Sequence, residues 1–215
     1  MNSSGRSSRP SSATAVEVVW NDARMSREVA TDAPTPHLIL LSGGIDSAAA
    51  LALICQAGSP VSALFVDYGQ GAAASEARAS AALAVHFGVK CQTLTCSGSN
   101  FGAGEIRGRN AFLAHVALMT FQGETGVVVM GIHAGTVYRD CSSDFVDLIQ
   151  QSYDFHVGGR ISLAAPFVDY FKADVFNLAL KIGLPVELTY SCEAANEPCG
   201  MCISCCDREE LLART

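Results

Sequence analysis

The stretch "HLILLSGGIDSAAALALI" (residues 37–54) constrains the fold more than any other part of the 215-residue chain. A short apolar run passes through Ser42, Gly43 and Gly44 into an alanine-rich segment, which is the order strand, tight turn, helix. A run that is apolar at successive positions suits a strand covered on both faces, and the helix that follows it must cross back over the sheet. One such unit predicts others. Four further apolar runs follow, "VSALFVD" from Val61, "CQTLTC" from Cys91, "VVVMG" from Val127 and "ISLAAPF" from Ile161. Segments of helical period start near Asp46, Ser75, Asn110, Ser143 and Tyr170; in the last, Phe171, Val175, Leu178, Ala179 and Ile182 share a face and Gly183 stands at its stop. The expectation is a doubly wound α/β domain with a mostly parallel five-stranded sheet and a site at the carboxyl ends of its strands.

Composition sets the limits of that domain. With 49% hydrophobic residues the chain builds one sizeable core and is short for two. Residues 1–36, rich in Ser, Ala and Pro, are expected to form a flexible tail, with "VEVVW" (residues 16–20) adding an edge strand, and residues 37–215 the domain. The 14 Lys and Arg against 21 Asp and Glu argue against a nucleic-acid partner. No run of 18 apolar residues and no secretory signal pattern is present, so the expected location is the cytoplasm. The high apolar content leaves room for a homodimer interface.

The glycine turn carries the first chemistry. Successive backbone N–H groups at Ser42, Gly43 and Gly44 converge where a helix starts, and the helix dipole adds partial positive charge, which together make a phosphate cradle. Asp46 and Ser47 stand where they cap the helix or, with a nucleotide bound, help hold Mg²⁺. Neither GxxxxGK[ST] nor GxGxxG is present. The second chemistry lies in "SCEAANEPCGMCISCCDREELL", where Cys192, Cys199, Cys202 and Cys205 are spaced C-x6-C-x2-C-x2-C. Four thiolates at that spacing close a tetrahedral shell around a structural Zn²⁺ in segment 192–206; an iron–sulfur cluster is the competing reading, and Cys206 competes with Cys205 for the fourth place. Cys55, Cys91 and Cys96 read as small core residues.

SGGIDS resembles the pyrophosphate loop of the PP-loop ATP pyrophosphatases. The ordered set SGGIDS at 42, DYGQ at 67, GRN at 108, "VMGIHAG" at 129, "YRDCSSDF" at 138, "APFVDYFKAD" at 165 and the four-cysteine tail resembles the QueC family, the 7-cyano-7-deazaguanine (preQ0) synthases. That resemblance implies conversion of 7-carboxy-7-deazaguanine, ammonia and ATP into a nitrile through an adenylated carboxylate and an amide. It implies nucleotide-binding positions at Leu41, Ser42, Gly43, Gly44, Ile45, Asp46, Ser47, Asp67, Tyr68, Gly69, Asn110 and Gly131, and acting residues at Ser42, Asp46, Arg109, Asp140 and Lys172. Each has a plain structural counterpart: a strand-end cap for Tyr68, a helix-start cap for Asn110, a solvated loop acid for Asp140 and a surface lysine for Lys172.

Two departures bear on the substrate. Gly71 and Ala72 follow DYGQ where the family has an arginine and a histidine, and "YRDCSSDF" carries Arg139 for a proline and Ser142 for an arginine. A diverged enzyme that joins the activated acid to another amine, on a partner protein in a defence system, is therefore the alternative. A PP-loop tRNA-modifying enzyme with an iron–sulfur cluster and a nucleotide-binding module without catalysis are the remaining readings.

Overall fold

The computed structural model describes residues 34–96, 100–102 and 104–214, so the strand expected at residues 16–20 lies outside the described residues. Strands β1 (His37–Leu40), β2 (Val61–Asp67), β3 (Lys90–Thr95), β4 (Gly126–Met130) and β5 (Ile161–Ala164) form one parallel sheet in the order β3-β2-β1-β4-β5. They alternate with helices α1 (Ile45–Gln56), α2 (Ala73–Phe87), α3 (Arg109–Thr120), α4 (Ser143–Val157) and α5 (Lys172–Lys181), then a 3-10 turn at Val186–Leu188 and α6 (Ile203–Leu212). In register, Leu40 lies opposite Leu64 on one side and Met130 on the other.

The strand order explains where a site can form. The chain leaves β1 toward β2 and β3, then returns to lay β4 and β5 on the other side, so the connections after β1 and β4 diverge and open a crevice at their carboxyl ends. Both faces of the sheet are covered because side chains alternate with period two. Ile39, Val127 and Val129 join one core with α1, α2 and α5, while Leu38, Val128 and Met130 join the other with α3 and α4. Within the second core Tyr153 is fully buried and its hydroxyl donates to the Ala114 carbonyl at 2.5 Å, tying α4 to α3.

The alanine-rich segment is the centre of the first core. Ala48, Ala49, Ala50 and Ala52 are at most 1% exposed, since side chains that small let α1 lie close to the sheet while α5 packs on its far side. Two helix starts differ from expectation by two residues, and α2 is one of them, beginning at Ala73 ahead of Ser75. The fifth helix begins at Lys172, two residues after Tyr170, with Asp174 Oδ2 accepting from the Phe171 backbone N–H at 3.2 Å. Helix α6 was not expected: its buried residues, Cys205 and Leu211, stand six apart in an otherwise mostly polar stretch and give no helical period to read. Gly183, at φ +73°, does stand just past the end of α5.

Candidate active site

The turn after β1 is shaped by close backbone approach. Gly43 has φ +81°, and a Cβ there would lie 2.8 Å from both the Ala79 Cβ and the Glu76 carbonyl, so only glycine suits the position. Ser47 Oγ donates to the Gly44 carbonyl at 3.1 Å and stands 3.2 Å from Ser42 Oγ, while the Gly44 N–H points to Ser42 Oγ at 3.4 Å. No side chain caps α1 at Gly44. The first-turn amides of Ile45, Asp46 and Ser47 therefore stay available to an anion, with the helix dipole behind them. Gly131, at the end of β4, packs on that turn: a Cβ on it would meet the Ser47 nitrogen at 2.6 Å.

Asp46 gathers a lysine and a histidine of the crevice. Its Oδ2 accepts from Lys172 Nζ at 2.5 Å and lies 3.8 Å from His133 Nε2. The lysine arrives on the first residue of α5, and the histidine is held by its Nδ1 against the Ala134 carbonyl at 2.6 Å. Asp46 Oδ1 is buried and has no hydrogen-bond partner among the described residues. A buried, unpaired carboxylate oxygen beside a phosphate cradle suits Mg²⁺, which takes oxygen ligands and bridges to phosphates.

A second group forms at the ends of β2 and β3. Asp67 Oδ1 accepts from the Gly69 N–H at 3.0 Å, and buried Gln70 pins the turn, accepting from the Tyr68 N–H at 2.9 Å and donating to the Val66 carbonyl and to Glu76 Oε2 at 2.8 Å. Burial pushes the Glu76 carboxyl above its ordinary range, with the Gln70 amide and Arg109 opposing the rise. Burial likewise raises the Tyr68 phenol, against the pull of Arg109 beside it. Tyr68, Cys96, Phe101, Ile106, Arg109 and Phe112 line a largely apolar cavity of about 290 Å³, with the Tyr68 and Phe101 rings 6.0 Å apart.

The buried Asn110 organises the wall between the two groups. Its Nδ2 donates to the Asp140 carbonyl at 3.1 Å, and its Oδ1 accepts from Arg109 Nε at 3.3 Å. The structure thus brings Ser42, Asp46 and Lys172 together, and separately Tyr68, Arg109 and Asn110; Asp140 joins the second set through its main chain. Helix α2 touches both, since the Glu76 carbonyl lies under Gly43 and its carboxylate holds Gln70. Gln70 and His133 stand inside the DYGQ and VMGIHAG stretches but receive no role from the sequence, and Glu76 receives none either, because a single Glu, Gln or His in a loop or helix start carries no spacing signal of its own.

The cysteine segment forms a compact centre. The sulfurs of Cys192, Cys199, Cys202 and Cys205 all lie within 4.8 Å of one another, while Cys206 is exposed with its thiol near the Gly200 carbonyl, so Cys205 completes the set. Tetrahedral Zn²⁺ with bonds of about 2.3 Å holds its sulfurs about 3.8 Å apart, within that range. Burial works against the Cys192 thiolate, but N–H groups of Cys199, Ala194 and Ala195 hold its thiol down to about 6. Met201 and Cys202 N–H groups, at 3.5 and 3.3 Å, likewise lower Cys199, whereas burial pushes Cys205 up to about 12. Four thiols in one small volume ionise together only around a cation, which is what a bound metal supplies.

The family described as "Queuosine biosynthesis protein QueC" matches residues 36–106 and 99–215. The 7-cyano-7-deazaguanine synthase of Archaeoglobus fulgidus is 33% identical over 201 residues, covering 80% of this chain and 84% of that protein. Its counterpart in Synechococcus sp. (strain CC9311) is 32% identical over 206 residues, covering 81% and 91%. Among solved structures, the NH3-dependent NAD synthetase from Campylobacter jejuni aligns with TM-score 0.44 at 16% identity over 72% of this chain and 67% of its own. With the family matched across both halves of the domain and the identity sustained over most of each relative, the chain belongs to the QueC family.

Proposed function

We propose that this QueC-family ligase uses ATP to convert 7-carboxy-7-deazaguanine and ammonia into 7-cyano-7-deazaguanine, in queuosine biosynthesis. The observation that carries the reading is the Ser42–Ser47 turn, with its uncapped helix start and the Asp46–Lys172 pair beneath it. A carboxylate is a poor electrophile, so one of its oxygens attacks the α-phosphorus of ATP and pyrophosphate leaves. Ammonia then adds to the acyl carbon, AMP departs with that oxygen, and an amide remains. The amide oxygen attacks a second ATP in the same way; loss of AMP and the remaining nitrogen-bound protons closes the nitrile.

Each step develops negative charge on phosphate oxygens, and the chain meets it by position and electrostatics without a nucleophile of its own. The turn amides cradle the phosphates. Asp46 is the residue that would hold Mg²⁺, which would supply positive charge to offset that of the departing pyrophosphate. Lys172, freed from Asp46, reaches the same phosphates. The aromatic cavity of Tyr68 and Phe101 takes the planar ring of the acid, with Arg109 facing its carboxylate, so Tyr68 serves the acid in this reading and not the nucleotide. Asp140 supports this wall through its carbonyl, which accepts from Asn110. The four cysteines would hold Zn²⁺ in a closed, structural shell.

The test is mass analysis of products after incubating the full chain with Mg-ATP, ammonium and 7-carboxy-7-deazaguanine. The nitrile and AMP are expected, with Asp46→Asn lowering kcat/KM by about a hundredfold or more. A deazaguanine-bearing protein would replace this reading with the diverged alternative that joins the acid to another amine, and a primary amide as end product would keep the adenylation and remove the nitrile step.

A further inference from the structure

We propose that the loop between Cys192 and Cys199 is a positioning element for the nucleotide turn, acting through Asn196. The inference rests on the reading of Ser42–Ser47 as the ATP turn. Helix α2 follows Ala72, whose side chain offers no acceptor to the helix start. A side-chain acceptor comes instead from 121 residues further along: Asn196 Oδ1 accepts from the Ser75 N–H at 3.0 Å, a donor it shares with the Ala72 carbonyl at 3.0 Å, and the Asn196 carbonyl accepts from Ser75 Oγ at 2.6 Å. Ser75 is the third residue of α2, the amide that an N-cap side chain ordinarily satisfies. Arg78 Nη2 donates to the same hydroxyl at 2.7 Å and fixes it from the next turn of the helix.

Helix α2 is in turn the bed of the nucleotide turn. Its Ala79 and Glu76 leave no space for a side chain at Gly43, and Ser80 Oγ donates to the Leu41 carbonyl at 2.7 Å. Tyr190, just before the cysteine segment, links the loop to the turn, because its N–H donates to the Gly43 carbonyl at 2.9 Å while its hydroxyl donates to the Ala195 carbonyl at 2.6 Å. A Cβ on Gly71 would stand 2.4 Å from the Ala194 carbonyl, so the loop seats on the backbone of the β2 turn as well. The loop touches α2 and the β2 turn directly and the nucleotide turn through Tyr190, and its two ends are cysteines of the cluster. Order in the cluster is thereby passed to the amides that meet the phosphates, with Asn196 as the joint.

The test is calorimetric binding of α,β-methylene-ATP to the full chain purified with its cluster metal, alongside metal analysis and amide exchange at residues 43–47. Asn196→Ala is expected to bind about fivefold more weakly, the loss of one helix cap, with unchanged metal content and faster exchange in the turn. Asn196→Asp, which keeps the acceptor, restores the affinity, and Ser75→Ala, which leaves the loop intact, reproduces part of the loss. Wild-type affinity in Asn196→Ala with metal retained overturns the inference. Loss of metal together with affinity also overturns it, since Asn196 then serves only to fold the loop. Failure of the wild-type chain to bind the analogue would instead overturn the ATP reading of the turn, and this inference with it.

Discussion

At the scale of single residues, the site is built from positions that have little freedom to change. Gly43 and Gly131 admit no Cβ, one because α2 lies beneath it and the other because α1 begins against it. The departures noted in the sequence acquire structural roles: Ser142 caps α4, accepting from the Phe145 N–H at 3.3 Å, and Gly71 is the seat of the cysteine loop. Lys172 reads as a surface lysine by composition alone, yet its ammonium lies on Asp46. Glu76 carries a prediction of pH dependence. Burial raises its carboxyl above the ordinary 4.5, so between that value and its folded-state pKa the folded chain binds more protons than the unfolded one, and stability falls as pH rises. Glu76→Gln, which keeps a partner for Gln70, is expected to raise Tm at neutral pH and to lose that gain below about pH 4.5. An equal gain at every pH in a thermal-melt series would show that ionisation is not the cause.

At the scale of elements, packing and the cysteine segment make separate predictions. Tyr153→Phe removes the bond between α4 and the Ala114 carbonyl and leaves that buried acceptor short of a partner, so a cost of about 1–2 kcal/mol is expected in urea unfolding. A change within error would mean that the carbonyl keeps its intrahelical bond at no loss. In the tail, the geometry separates two adjacent cysteines. Cys206→Ser is expected to keep full metal content by plasma mass spectrometry, and Cys205→Ser to lose most of it, because only Cys205 is turned inward to the other three sulfurs. The reverse pattern would move the fourth ligand. Acid acts in the same direction as Cys205→Ser, since protons compete with the metal for the thiolates.

At the scale of the whole molecule, the alternation of apolar runs and helical segments was enough to find every strand of the sheet, because a strand buried on both faces leaves an uninterrupted apolar signature. The glycine turn and the cysteine spacing were legible for a similar reason: local geometry and metal ligation each impose short-range patterns. Long-range pairing imposes none. Asp46 with Lys172, 126 residues apart, and Ser75 with Asn196 meet only because the sheet order brings the ends of β1, β2 and β4 and the cysteine segment to one crevice. Helix α6 stayed hidden because its burial rests on few side chains. The central claim, that the crevice activates the oxygen of a carboxylate by adenylation, is tested most directly with 7-carboxy-7-deazaguanine labelled with ¹⁸O at both carboxylate oxygens. The account predicts that each oxygen leaves in AMP, one label per AMP released for every nitrile formed. Label appearing in water or inorganic phosphate, with AMP unlabelled, would contradict it.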